Sequence, residues 1–190
     1  MSYDVIAIGA SWGGLRAVSA LLGDLSADVD ATIVLAQHRG SDAHRGVLEG
    51  LLQQHVQRPV TEPDDKEPLE RCHVYVAPAD YHLLVENGHF ALTTDNRVQH
   101  SRPSIDVLFE SVAASYRERA IGIVLTGANS DGAAGLAAIK ATGGVAIVQD
   151  PSTAERRTMP DAAIAATEAD AVLELEEIPK FLYGLCCLPS

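Results

Sequence analysis

The sequence predicts an α/β fold: a doubly wound, mainly parallel sheet with an antiparallel hairpin at one edge. Three observations predict it. Short Val/Ile/Leu-rich runs alternate with helical patterns almost from end to end, as repeated strand–helix–strand units do. Those runs are continuous rather than alternating, which is the pattern of strands covered on both faces. One stretch, YHLLVENGHFALTT, departs from this by placing two short strand patterns around Asn87-Gly88, a strong hairpin signal.

The first strand pattern covers 4–9 and runs into a helix over 14–22, where Leu15, Val18, Leu21 and Leu22 recur at helical spacing. The second strand, 32–37, is followed by a helix over 43–54. TEPDDKEPLE, residues 61–70, is polar, carries two prolines and reads as a solvated surface loop. A strand at 73–77 and the hairpin come next. A helix over 105–117 leads to the strand 121–126, a helix over 133–141 to the strand 145–149, and a helix over 160–166 to the strand 171–174. A helix over 177–185, holding Cys186 and Cys187 at its end, closes the chain. No linker, repeat or low-complexity tract interrupts it, so residues 1–190 read as one domain, large enough to bury a sizeable core.

Composition narrows the function. The chain has 26 acidic and 14 basic residues, a formal charge of −12, which argues against nucleic acid as a main partner. No apolar run approaches the roughly 20 residues that would cross a bilayer, and the N-terminus has no signal-peptide pattern. Cys72, Cys186 and Cys187 lack metal-ligand spacing and read as reduced thiols of a cytoplasmic protein. His44, His55, His73, His82, His89 and His100 form no recognisable metal-ligand set and read as surface or loop histidines.

In a doubly wound sheet, ligands gather at the carboxyl ends of the strands. Ser11 and Trp12 follow the first strand there, His38 and Arg39 the second, and Asn129, Ser130 and Asp131 the strand at 121–126. Gly9-Ala10-Ser11-Trp12-Gly13 fits G-x-S-x-G in the strand–turn–helix context which that pattern requires. The dinucleotide fingerprint fails because position 11 is Ser, and the P-loop fails because Leu15 follows Gly14 with no lysine nearby. A serine hydroxyl needs a base to take its proton, and the imidazole needs an orienting carboxylate. One residue of each type arrives at one rim. The chain order Ser…His…Asp is not that of α/β-hydrolases. Two other readings of the residues stay open. One is an interaction module of the same fold whose cleft Trp12 closes. The other is a nucleotide- or phosphate-binding domain using the helix N-terminus after Gly9.

IAIGASWGG, VLAQHRG, HSRPSIDVLFESVA and VLTGANSDGAAGLAAIKATGGVAIVQDPSTAERRTMPDAAI, in that order, resemble the catalytic domain of the bacterial chemotaxis protein-glutamate methylesterases, the CheB family. APADYHLLVE resembles that family's segment before the hairpin, and the likeness covers about residues 5–178. It implies a serine esterase that hydrolyses glutamate γ-methyl esters on chemoreceptor cytoplasmic helices and deamidates certain glutamines. Ser11 would be the nucleophile, His38 the general base and acid, and Asp131 the carboxylate that orients His38, a set that needs neither a metal nor an organic cofactor. The Trp12 backbone N–H would donate to the oxyanion, with Ala128 and Arg39 shaping the cleft. Four departures stand out: Trp12 in place of a small hydroxyl residue, Ala128-Asn129 in place of methionine and glycine, Arg39-Gly40 in place of Met-Pro, and no N-terminal receiver domain. The last leaves a separate response regulator as a possible partner. The acidic chain and glutamate-rich helices should repel each other, so Arg16, Arg39, Arg45, Arg102, Arg156 and Arg157 are expected to form a basic collar around the cleft.

Overall fold

The computed structural model of the chain describes residues 3–40 and 42–187. Its elements are β1 (Val5–Ala10), α1 (Gly14–Gly23), β2 (Thr32–Gln37), α2 (Val47–Gln53), β3 (Val60–Thr61), β4 (Val74–Val76), β5 (His82–Glu86) and β6 (His89–Thr93). They continue with α3 (Ile105–Tyr116), β7 (Ala120–Val124), α4 (Ala133–Ala141), β8 (Val145–Gln149), α5 (Thr158–Ala166), β9 (Ala171–Leu173) and α6 (Ile178–Cys187). Seven strands form one parallel sheet in the order β3-β4-β2-β1-β7-β8-β9.

The two-residue period of a strand sorts the core into two layers. Along β1, Ile6, Ile8 and Ala10 face a cluster that Val18 and Leu21 of α1, Leu48 and Leu52 of α2, and Ile178 and Leu182 of α6 complete. Val5 and Ala7 face the opposite cluster, with Leu108 and Phe109 of α3, Leu136 and Ile139 of α4, and Met159 and Ala163 of α5. The chain leaves β1 for β2 and β4 and returns to β7 on the other side of β1, so connections diverge between β1 and β7. That is the switch point at which such sheets bind ligands.

The hairpin forms with Leu83 opposite Leu92 and Val85 opposite Phe90. It stands beside β4 as a ladder of its own, with the Phe90 ring 4.5 Å from that of Tyr75, and does not extend the edge of the main sheet. Its outer hydrogen bonds go to the preceding loop, from Lys66 N–H to Phe90 O (2.9 Å) and from Phe90 N–H to Glu67 O (2.8 Å). Its inner face buries Leu83, Val85 and Phe90 against α3. The 61–70 segment departs from a plain loop at its start, because Val60 and Thr61 pair with Val74 and Tyr75 as β3. The helix expected from residue 43 begins at Val47. Gly46, at φ 88°, turns the chain there, and Glu49 Oε1 accepts from its N–H at 2.9 Å. Cys186 and Cys187 pack at the rim of the α1–α2–α6 core, where burial raises the Cys186 thiol pKa to about 11.

Candidate active site

Ser11 sits one residue beyond β1. Its N–H donates to Thr126 O at 3.0 Å, and its carbonyl accepts from Gly14 N–H at 2.8 Å. Gln37, the last residue of β2, donates from Nε2 to Ser11 O (2.8 Å) and to His38 O (3.1 Å), so one amide ties the ends of β1 and β2 together. The glycines of this turn serve distinct purposes. A Cβ on Gly9 would lie 2.3 Å from Ile105 Cγ2, and one on Gly14 would lie 2.1 Å from Gln37 Oε1. Gly13 holds φ at 77°, a left-handed conformation that starts α1.

His38 follows β2 and bonds through its N–H to Ala10 O at 3.0 Å. Its ring places Nδ1 3.2 Å from Ser11 Oγ and Nε2 2.7 Å from Asp131 Oδ2. A carboxylate can only accept, so the ring proton belongs on Nε2 and the Nδ1 lone pair faces the hydroxyl. Asp131 is fully buried. Its Oδ1 accepts from Ser104 Oγ (2.9 Å) and Asp106 N–H (2.9 Å), and its Oδ2 also accepts from Ile105 N–H (2.8 Å). Ser104 is the N-cap of α3, so the carboxylate rests on the positive end of that helix. Burial alone would raise the Asp131 pKa; the bonds from His38, Asp106 and Ile105 outweigh it and hold the carboxyl below its usual range. Asp106 lies behind it, with Oδ1 accepting from Gly132 N–H (2.9 Å) and Gly135 N–H (2.8 Å), and burial pushes its pKa up.

Among the other expected site residues, Trp12, next to Ser11 in the chain, is 58% exposed. Its Nε1–H donates to Glu155 Oε1 at 2.8 Å and Arg156 lies over its ring, which pulls the indole to one wall of the cleft. Ala128 is exposed on the loop leading to Asp131. Arg39 does not face the cleft as a free cation. Its guanidinium is largely buried, pairs with Glu62, donates to Ala77 O at 2.7 Å and lies 3.9 Å from Glu49. Glu62 is itself buried, not solvated, because this ion pair draws it inward.

The basic collar is mostly neutralised for the same reason. Arg45 pairs with Asp64, Arg102 with Asp80 and Arg157 with Asp161. Sequence reasoning missed three supports of the site, Gln37, Ser104 and Asp106, and placed Asn129 at the rim without a partner. Asn129 places Nδ2 3.4 Å from His38 Nδ1, while its Oδ1 accepts from Asp131 N–H at 3.3 Å. A groove of about 690 Å³ opens here, lined in part by Ser11, Leu15 and Arg16. No group of three or more metal-ligating side chains occurs among the described residues, and no helix there is long and apolar enough to cross a membrane.

A hydroxyl, an imidazole and a buried carboxylate in hydrogen-bonded sequence at the rim of a doubly wound sheet form the arrangement of serine hydrolases. The family model described as CheB methylesterase matches residues 6–182. The chain belongs to the CheB methylesterase family. The crystal structure of the Thermotoga maritima CheB methylesterase catalytic domain matches with a TM-score of 0.88 and 31% identity, covering 97% of this chain and 100% of that one. A Leptospira interrogans relative is 45% identical over 97% of this chain and 96% of its own length, and it carries the designation protein-glutamate methylesterase/protein-glutamine glutaminase as a provisional one. An Anaeromyxobacter dehalogenans protein bearing that designation is 38% identical over 96% of this chain and 53% of its own length. One from Hydrogenovibrio crunogenus is 36% identical over 97% of this chain and 50% of its own. The chain thus spans about half the length of these last two relatives.

Proposed function

We infer that the chain hydrolyses γ-methyl esters of glutamate, and deamidates glutamine, on the cytoplasmic helices of methyl-accepting chemoreceptors. The observation that carries this reading is the Ser11–His38–Asp131 chain of hydrogen bonds, at 3.2 and 2.7 Å, in a member of this family. Ser11 Oγ attacks the ester carbonyl as His38 Nδ1 takes its proton, and the imidazolium is stabilised by Asp131. The tetrahedral oxyanion faces the Trp12 N–H at the positive end of α1 and the Asn129 carboxamide, beside a wall shaped by Ala128. Collapse passes the proton from His38 to the methoxide, and methanol leaves. Water, deprotonated by His38, then attacks the acyl-serine and releases the glutamate carboxylate with Ser11 restored. With a glutamine substrate the same steps release ammonia.

Against a closed, silent cleft stand the bond that ties the Trp12 indole to Glu155 and the groove that Ser11 lines without Trp12. The reading is tested by methanol release from a methylated receptor cytoplasmic fragment. Wild type should release methanol, and Ser11→Ala should lower the rate by several orders of magnitude. No release by wild type, or equal release by both, overturns it.

A further inference from the structure

Exposed large apolar side chains are few among the described residues, and three of them line one groove between α1 and α2. Leu15 of α1 and Val47 and Leu51 of α2 are 39%, 55% and 42% exposed. Together they line a shallow groove of about 380 Å³ between the two helices. Leu15 also lines the groove of about 690 Å³ that contains Ser11, so the apolar strip is continuous with the site. Val47 and Leu51 are four residues apart and share one helix face.

The strip is also electrostatically distinct. In a chain with 26 acidic residues, Asp42 is the only carboxylate among the described residues that line either groove. Basic or titratable groups border it: Arg16, which joins no ion pair among the described residues, with His44 and His55. On the other side of α1 the adjoining groove is lined by Glu155 and Glu176, and Arg16 stands between the two, lining both this groove and the one that contains Ser11. A polyanionic partner approaching Ser11 therefore meets two carboxylates on the Glu155–Glu176 side and one, Asp42, on the α1–α2 side, with Arg16 at the junction.

We propose that this strip is the docking surface for the substrate helix. It takes an amphipathic, glutamate-rich helix, with the apolar stripe seated on Leu15, Val47 and Leu51, the acidic flank against Arg16, and the esterified side chain delivered to Ser11. The proposal rests on the methylesterase reading and adds the direction from which the substrate enters.

The test compares kcat/KM for a methylated receptor cytoplasmic fragment with kcat/KM for a γ-methyl-glutamyl peptide too short to hold a helix. In V47E/L51E the ratio of fragment to peptide should fall about tenfold or more, carried by KM of the fragment. V47A/L51A should show a smaller fall in the same direction, and it carries the test if the charged variant does not fold. Glu176→Lys, on the opposite side, should keep the ratio within about twofold of wild type or raise it. An unchanged ratio in both α2 double variants, or an equal fall in Glu176→Lys, overturns the docking surface. A wild type that hydrolyses the short peptide as well as the fragment also overturns it, leaving the esterase intact. A wild type that releases methanol from neither substrate overturns the methylesterase reading and this inference with it.

Discussion

Asp106 and Asp131 cap each other's helices. Asp131, immediately before α4, accepts from the Ile105 and Asp106 N–H groups that begin α3, and Asp106 accepts from Gly132 and Gly135 N–H at the start of α4. The positive ends of the two helices thus meet over a pair of buried carboxylates. One of that pair turns its remaining acceptor position to His38. The carboxylate bonded to His38 is therefore also a structural joint, and its replacement should affect folding as well as rate.

Asp131→Asn should show both effects. Each carboxylate oxygen faces one backbone N–H of α3, so neither orientation of an asparagine amide avoids setting an N–H against an N–H. The expected cost is about 2–4 kcal/mol in urea unfolding, with kcat for methanol release lowered about 10⁴-fold. Wild-type stability in this variant would contradict the reciprocal caps.

Asp106→Asn should be far milder. Both helix N–H groups bond to Oδ1, which an asparagine retains. Oδ2 accepts only from Gln99 Nε2, and Gln99 can turn its amide, since its other partner is the Ser130 hydroxyl. The expected loss at pH 7 is about 1 kcal/mol or less.

The two carboxylates should also give opposite pH slopes. Asp131 is held below its ordinary 3.8, so its stabilisation is complete above that value and is lost as pH falls through the lower folded pKa. Asp106 is raised, so its contribution is present at low pH and is lost as pH rises from 3.8 through the higher folded pKa. Denaturation from pH 2 to 7 should show a steeper rise of stability above 3.8 in Asp106→Asn than in wild type. Asp131→Asn should show a shallower loss below it.

Gly9→Ala should destabilise by about 1–3 kcal/mol through overpacking, since its methyl would lie 2.3 Å from Ile105 Cγ2. The same clash pushes on the residue whose N–H holds Asp131, so kcat should fall too. In an Ile105→Ala background the added cost of Gly9→Ala should shrink by more than about 0.5 kcal/mol. Strict additivity would show that the strain is relieved elsewhere.

Asn129→Ala should lower kcat about 10- to 100-fold with KM nearly unchanged, as expected for loss of one oxyanion donor. Its half-exposed position predicts a melting temperature close to wild type. A change confined to KM would instead make Asn129 a substrate contact.

The strands and the positions of Ser11, His38 and Asp131 were legible because each rests on a local pattern: an apolar run, then a polar residue where the run stops. What was not legible depends on contacts between distant segments. Ser104 reads as an ordinary N-cap, and nothing in its neighbourhood says that its hydroxyl donates to a carboxylate 27 residues away. Arg39 reads as an exposed cation because arginine is seldom buried, and only the fold brings Glu62 inward to pair with it. β3 escaped notice because two residues carry no periodicity; pairing with β4 alone defines it. The hairpin's sequence specified its turn and register, while its attachment followed from the loop and from α3.

The orientation of the His38 ring has a further consequence. Its nearer nitrogen, Nδ1, faces the Ser11 hydroxyl and the farther one, Nε2, faces the Asp131 carboxylate. Glutamine places its amide nitrogen near the position of Nε2, and asparagine places its own near Nδ1. His38→Gln can therefore preserve the anchoring half of the imidazole without the half that moves protons, and His38→Asn can do neither for Asp131. In this protein the scaffold and the chemistry of one ring are separable by a single methylene.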